Sequence, residues 1–241
     1  MAVLNARTVY FGGVGASAEG GLGPSLAEAF LRKGWLVFAG HSAEAGDELR
    51  QLAERHGGRL FACPCDPASD AETAEAAALV AGRTEAIDLL VFCGDRLSTG
   101  PAPSIAGAQD YGNLLASYDA NALGLLRTVR AFLPLLGRGS MKRLCFMTER
   151  DALVNGSVAV SDFGRNLSKA AANMAGAILF NRLRPEGYTF RTFCRDDHAP
   201  AASVAAYGYF TRGRSFEADN PRHSDENRYT TRDGFGRERP W

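Results

Sequence analysis

The sequence lacks an excess of either charge and lacks any apolar run long enough to cross a bilayer. Its 241 residues contain 27 Lys plus Arg and 27 Asp plus Glu. Proteins that bind nucleic acids or membrane surfaces in general need a basic excess, so this balance argues against both classes. No apolar stretch approaches the roughly 20 residues of a transmembrane helix. The sequence predicts no nucleic-acid or membrane partner.

Cysteine is scarce and odd in number, and the sequence offers no metal-binding cluster. The five cysteines sit mostly within apolar runs, which is typical of buried free thiols in a reducing compartment. Cys63 and Cys65 are the only close pair, and His56 is the only other ligand candidate nearby, so we expect no metal site. The N-terminal residues show no basic segment followed by a long apolar stretch. We therefore expect a cytoplasmic protein.

The pattern that is present alternates apolar runs with Ala-rich helical segments. Runs that are apolar on both faces and are separated by helices indicate a parallel sheet covered on both sides. The fold class predicted is α/β, a Rossmann-like doubly wound parallel sheet of six or seven strands with helices on both faces. The expected strands are residues 8–13, 35–40, 59–66, 88–94, 143–149 and 188–194, and the expected helices are 23–34, 45–58, 70–83, 111–136 and 161–187.

The chain changes character near residue 212. Residues 1–211 are predicted to form the Rossmann-like domain, and residues 212–241 are polar, with few aliphatic side chains. Such composition is typical of a mobile tail. However, the segment holds Phe216, Tyr229, Phe235 and Trp241, and 228–232 can form a short strand. We expect an arm that packs on its own domain or on a neighbouring subunit, with a mobile tail as the alternative.

A glycine-rich stretch follows the first expected strand and precedes the first helix. Glycines there allow backbone N–H groups to approach a pyrophosphate, and the positive end of the following helix faces it. Gly13, Gly21, Leu22 and Gly23 are the candidate phosphate contacts. The loop is long, and Glu19 within it would repel a diphosphate unless its side chain points away.

The end of the second expected strand lacks the side chain that usually distinguishes between nucleotides. An acid there binds the ribose hydroxyls, and an arginine binds a 2′-phosphate. This chain has His41 and Ser42 instead. Either they contact a 2′-phosphate weakly or they simply begin a loop.

Together, these residues resemble the short-chain dehydrogenase/reductase family over residues 7–195. The resemblance rests on the glycine loop, Asp66 after the third strand, DLLVFCG at 88–94, ANALG at 120–124 and LSKAA at 167–171. It implies a Rossmann core, NAD(P)-dependent oxidation or reduction of alcohols and carbonyls, and assembly through the helices at 111–136 and 161–184. It also adds Asp66 and Gly94 to the candidate cofactor contacts.

The resemblance carries over the family's catalytic residues only in part. Its helix asparagine matches Asn121, and its lysine matches Lys169, preceded by Ser168. The position of the essential tyrosine holds Arg165, and that of the essential serine holds Glu149. Thr148 is one step away, and Ser157 and Ser161 lie in the following loop.

Two turns that border the family's cofactor also differ. Phe92-Cys93-Gly94-Asp95 replaces an Asn-Asn-Ala-Gly turn, and Arg195-Asp196-Asp197 replaces a Pro-Gly turn. The aromatic ring of Phe92 is expected to crowd the path of the cofactor.

Arg165 and Glu149 are poorly suited to the family's chemistry. Arginine keeps its proton in proteins and has no acceptor, so it cannot act as a general acid–base. A carboxylate repels the alkoxide that a serine hydroxyl would stabilise. We expect a Glu149–Arg165 ion pair that fills the former substrate pocket and offsets the repulsion between Arg165 and Lys169. The alternative is that both side chains face solvent.

Three functions remain open on this basis. The first is a non-catalytic subunit that pairs with an active short-chain dehydrogenase, or with itself, through the two long helices. The second is an active NAD(P)-dependent oxidoreductase with substituted catalytic residues, for which Tyr207 and Tyr209 are the only other candidate proton donors. The third is a ligand-binding or regulatory protein. The cofactor is either NAD(P) or none, and the substrate is not indicated.

Overall fold

The computed structural model describes residues 6–15, 22–94, 96, 107–195, 201–213 and 225–241. Within them the chain forms one sheet in the order β3-β2-β1-β4-β5-β6-β7-β8, and helices cover both faces. Every strand pair is parallel except β7 with β8. The doubly wound α/β prediction is confirmed, although the sheet has eight strands where six or seven were expected. The strands are β1 (Thr8–Val14), β2 (Leu36–His41), β3 (Leu60–Pro64), β4 (Leu89–Phe92), β5 (Arg143–Glu149), β6 (Thr189–Arg195), β7 (Thr231–Arg232) and β8 (Glu238–Arg239).

The helices follow the expected segments, with two differences. The expected helix 111–136 is interrupted by a π-helical turn at Asp119–Leu123 and continues to Arg138, and a helix after β6 had not been predicted. The helices are α1 (Gly23–Arg32), α2 (Gly46–Arg55), α3 (Asp70–Ala81), α4 (Tyr111–Tyr118), α5 (Gly124–Arg138), α6 (Phe163–Leu183) and α7 (Ala201–Thr211). None of the described helices combines the length and apolar character needed to cross a bilayer.

The hydrophobic core lies on both faces of the sheet. Because alternate residues of a strand point to opposite faces, Val9 and Phe11 of β1 pack with α1 and α7 on one side. Tyr10 packs with α5 and α6 on the other, where its ring stacks on Phe132. Covering both faces leaves the carboxyl ends of the parallel strands as the edge at which side chains can meet a ligand.

Residues 225–241 extend the sheet and pack against α6. β7 pairs with β6, and β8 turns back on β7 through Gly236, whose φ of +79° suits glycine. Tyr229 lies against Gly176 of α6, where a Cβ would overlap the tyrosine hydroxyl. Trp241 stacks on Tyr229, with ring centroids 5.1 Å apart. The part of the arm that is described packs on its own domain. Phe216 lies outside the described residues, and the division at residue 211 stays a prediction.

Buried charges hold this arm to the sheet. Arg191 of β6 is 1% exposed and forms an ion pair with Glu226, and Arg232 of β7 forms one with Asp225 at 2.6 Å. Burial alone would raise the pKa of Asp225, but the hydrogen bonds and charge of Arg232 outweigh it and lower that pKa. Breaking a buried pair leaves an uncompensated charge, so these pairs tie the arm to the fold.

Glu226→Gln should therefore lower the free energy of unfolding by about 3–5 kcal/mol, because Arg191 keeps its charge and loses its partner. Glu238→Gln is the matched control, since the Glu238–Arg228 pair lies on the same arm but is largely exposed and should matter by less than about 1 kcal/mol. Urea unfolding followed by circular dichroism measures both. Equal losses in the two variants would contradict the role assigned to the buried pair.

Candidate active site and nucleotide cleft

Glycines bring the ends of β1 and β4 close together at the carboxyl edge of the sheet. A Cβ on Gly13, whose φ is +70°, would lie 2.9 Å from the Cα of Gly94. A Cβ on Gly23, the first residue of α1, would lie 2.7 Å from Val14. Strand order reverses between β1 and β4, which is where doubly wound folds bind ligands. Two other residues of the expected loop, Glu19 and Gly21, lie outside the described residues.

A cleft of about 920 Å³ opens over β1, β2 and β3. Of the expected cofactor contacts, Gly13, His41, Asp66 and Gly94 line it, whereas Leu22 and Gly23 do not. The His41 ring is buried, with Nδ1 2.7 Å from the carbonyl oxygen of Ser42. Other charged residues that line the cleft were not singled out from the sequence: Glu44, Asp47, Arg50, Glu72 and Arg96. No sequence motif distinguished these charged residues, because they lie on ordinary polar segments.

Asp66 is fixed by local hydrogen bonds at the end of β3. Its carboxylate accepts from the Ala68 N–H at 2.9 Å, and its own N–H donates to Glu72 at 2.8 Å. Glu72 belongs to the first turn of α3, which Ser69 caps by accepting from the Glu72 N–H. The capping of α3 therefore sets where these two carboxylates stand in the cleft.

A cluster of ion pairs occupies the ends of β5 and β6. One carboxylate oxygen of Glu149 lies 2.8 Å from the Arg165 guanidinium, 3.5 Å from Lys169 Nζ and 3.8 Å from the Arg195 guanidinium. The predicted Glu149–Arg165 pair is thus present. The side chains of Arg165 and Glu149 are 20% and 14% exposed, so the alternative in which both face solvent is wrong.

Local geometry explains why these groups meet. Arg165 and Lys169 are one turn apart on α6, whose first turn is capped by Asp162 accepting from the Arg165 N–H. Glu149 and Arg195 are register partners on β5 and β6. Sequence reasoning missed Arg195 as a cluster member because it placed the residue beyond the strand; aligning the last residues of the two strands would have found it.

The space beside this cluster is small. A void of about 20 Å³ is lined by residues from β5, β6, α1 and α6, among them Gly23, Thr148, Glu149, Lys169 and Arg195. That volume accommodates about one water molecule. Cofactor-sized pockets are of the order of 300–1,000 Å³, so the cleft over β1–β3 has that size and the void over β5 and β6 does not.

Asn121 lies in the π-helical turn and connects the segment after β4 to α6. Its Oδ1 accepts from the Arg96 N–H at 2.8 Å, and its Nδ2 donates to the Arg96 carbonyl at 3.1 Å and to Ser168 Oγ at 2.9 Å. Ser168 in turn donates to the Arg165 carbonyl. Asn121 therefore positions the backbone on both sides of the site. Single π-helical turns such as this one are frequently found at functional sites.

Three aromatic residues differ from expectation. Phe92 is buried in the core beneath Gly94 and is not among the cleft-lining residues, so the prediction that it crowds a cofactor is wrong. Tyr207 packs on Phe30 of α1, and Tyr209 is buried beside Arg191. Burial raises the pKa of Tyr209. Neither tyrosine is among the residues that line the cleft or the void.

All five cysteines are buried, and none of them forms a disulfide. Burial raises the pKa of the Cys63 thiol to about 11 and that of Cys145 to about 12, so both stay protonated and unreactive near neutral pH. Among the described residues no three His, Cys, Asp or Glu side chains are grouped as metal ligands.

Solved structures with this fold include several oxidoreductases. NADPH-bound carbonyl reductase from chicken fatty liver aligns with a TM-score of 0.79 and 18% identity, covering 100% of this chain and 96% of that one. A putative short-chain dehydrogenase from Escherichia coli CFT073 gives 0.71 and 16%, covering 96% and 97%. A Pseudomonas aeruginosa PAO1 short-chain oxidoreductase described as containing an atypical catalytic centre gives 0.65 and 18%, covering 78% and 69%.

Sequence comparison assigns the family. The C-signal protein of Myxococcus xanthus is 35% identical over 82 residues, which are 34% of this chain, and the chain spans about half the length (49%) of that curated relative. The short chain dehydrogenase family model matches residues 14–175, a region that contains every cleft-lining residue except Gly13 and three of the four charges of the Glu149 cluster. The chain belongs to the short-chain dehydrogenase family.

Proposed function

We propose that this chain is a non-catalytic subunit of a short-chain dehydrogenase assembly. The observation that carries the proposal is the Glu149 carboxylate, which bridges Arg165 and Lys169 at 2.8 and 3.5 Å. These positions correspond by resemblance to the serine, tyrosine and lysine of the family. The groups that would handle a proton and a reacting oxygen are thus engaged with one another.

The chemistry of the cluster supports this proposal. A guanidinium cannot release its proton at working pH, so Arg165 cannot replace a tyrosine as general acid. Lys169, which in the family lowers the pKa of that tyrosine, here neutralises a carboxylate. Glu149 would repel an alkoxide forming beside it. The buried thiols suit a reducing cytoplasm, which is where we place the subunit.

A second candidate is an active NAD(P)-dependent oxidoreductase with substituted catalytic residues. The open cleft of about 920 Å³ over β1–β3 favours it, because it can take part of a cofactor. In this scheme Arg165 polarises a carbonyl as a fixed cation, water supplies the proton, and Asn121 and Lys169 position the ligand. The volume of only about 20 Å³ beside the cluster makes it the weaker candidate.

The long helices supply the surface for a partner. α4 packs on α6, and the outer faces of the α4–α5 and α6 helices expose apolar side chains: Tyr111, Leu115, Leu126, Leu167, Met174 and Ile178. Exposed apolar residues concentrated on neighbouring helices are typical of protein–protein interfaces. We propose that another short-chain dehydrogenase subunit, identical or active, covers them.

Restoring a phenol and a hydroxyl tests the proposed inactivity. Wild type should oxidise no NADH or NADPH above background with a panel of small aldehydes and ketones. The double variant Arg165→Tyr, Glu149→Ser should oxidise NADH or NADPH at least about tenfold faster than background, since general acid catalysis contributes about 10²–10⁴-fold. Nicotinamide absorbance at fixed enzyme concentration measures both.

Arg165→Phe with Glu149→Ser is the matched control, because it opens the same space without a proton donor and should stay inactive. Turnover by the wild type that the double variant does not improve would favour the second candidate and would sink the first.

Charging the exposed helix faces should break the assembly. Leu115→Glu and Met174→Glu should shift the wild-type oligomer to a monomer in sedimentation velocity, because each places a charge within an apolar contact. Val204→Glu is the matched control, since Val204 is a similarly exposed aliphatic residue on α7, and it should leave the oligomer intact. Identical sedimentation of all three variants and wild type would contradict the proposed surface.

A further inference from the structure

The two halves of the ligand-binding edge differ in the space they offer. A doubly wound sheet binds a dinucleotide across its switch point, with one nucleoside over each half. Here the switch lies between β1 and β4. The half over β1, β2 and β3 holds the cleft of about 920 Å³, whereas the half over β5 and β6 holds a void of about 20 Å³.

The cluster of charges around Glu149, which occupies the second half, is costly to displace. Glu149, Lys169 and Arg195 are 14%, 4% and 8% exposed at the side chain, and each is within 3.8 Å of an opposite charge in the cluster. A nucleoside entering here would have to separate buried charges, and a buried charge that loses its partner is strongly unfavourable. The entering ring would also meet Thr148 and Gly23 on the other walls of the void.

The open half has the polarity that a nucleoside needs. Glu44, Asp47, Asp66 and Glu72 are among the residues that line it. Their carboxylates are hydrogen-bond acceptors, which suit the donors of a nucleoside: its ribose hydroxyls and the exocyclic amine of an adenine-type base. Arg96, whose backbone N–H and carbonyl are both held by Asn121, and Arg50 also line the cleft, and a guanidinium is a suitable partner for a phosphate.

We infer that the half over β5 and β6 does not fit the second nucleoside of a dinucleotide, so that a dinucleotide binds this chain through its adenosine half alone, with the second nucleoside outside the fold. The inference rests on the proposed function, because it takes the Glu149 cluster to be the permanent occupant of the second half. It goes further in stating which half of the family's dinucleotide the residues of this chain do not fit.

Calorimetric titration of the full chain separates the two halves. Adenosine monophosphate should bind, and nicotinamide mononucleotide should not. NAD⁺ and ADP-ribose, which is NAD⁺ without the nicotinamide, should have dissociation constants within about threefold of each other, since a ring left in solvent adds little; a fully buried ring would add tenfold or more.

Amide hydrogen exchange gives a second readout that does not depend on affinity. NAD⁺ and adenosine monophosphate should protect the same segment, residues 41–50 at the end of β2 and the start of α2. Neither should change exchange at residues 165–169, at the start of α6.

A bulky side chain introduced into the cleft gives a variant that tests whether the cleft is the binding site. Ala43 is exposed and lines the cleft, and Ala78 is an equally small exposed residue on α3 that does not line it. Ala43→Trp should weaken adenosine monophosphate and NAD⁺ alike by at least about tenfold, and Ala78→Trp should leave both unchanged.

Any one of three results would overturn the inference: NAD⁺ binding more than about tenfold tighter than ADP-ribose, protection of residues 165–169 by NAD⁺, or no binding of adenosine monophosphate at millimolar concentration. Failure of the proposed function would be seen separately, as oxidation of NADH or NADPH by the wild-type chain with an aldehyde or ketone. An inactive chain that binds NAD⁺ far more tightly than ADP-ribose would refute the inference and leave the proposed function standing.

Discussion

The carboxylate of Glu149 is the group about which the site is organised. Its place at the end of β5 puts it opposite Arg195 on the neighbouring strand, and α6 brings Arg165 and Lys169 from above the sheet. Three cations this close would repel one another strongly in a partly buried setting. The acid makes their proximity tolerable, so the ends of two strands and the start of a helix are coupled through a single oxygen.

The same arrangement divides the ligand-binding edge. Over β1–β3 the glycines and the capped start of α3 leave an open, acceptor-rich cleft. Over β5 and β6 the charges have taken the space that a ligand would use. In the function proposed above, the Rossmann fold keeps the cleft that a nucleotide would use, while the positions of the family's reacting groups serve internal electrostatics.

The sequence was sufficient for the main elements because buried parallel strands are continuous apolar runs, and β5 was predicted to the residue. The Glu149–Arg165 pair was also predictable, since two substitutions of opposite charge fell on positions that adjoin in the family. The helix at Ala201–Thr211 was missed because its sequence, AASVAAYGYFT, has no polar face to give a helical period.

Other features depended on tertiary contacts that no local pattern encodes. A strand reading TFRTFCR gives no indication that Arg191 is wholly buried, because its partner Glu226 is 35 residues away. The ring of Phe92 followed the alternation of β4 into the core rather than turning towards the cleft, which the residue type alone could not decide.

The hairpin of β7 and β8 has a consequence for solubility. An open sheet edge can template pairing with other chains, and proteins limit that risk with short edge strands and charged side chains. Here the sheet beyond β6 ends in a strand of two residues, Glu238 and Arg239, and their side chains are engaged in ion pairs with Arg228 and Asp233. A strand of two residues is too short to template edge-to-edge pairing at this border of the sheet.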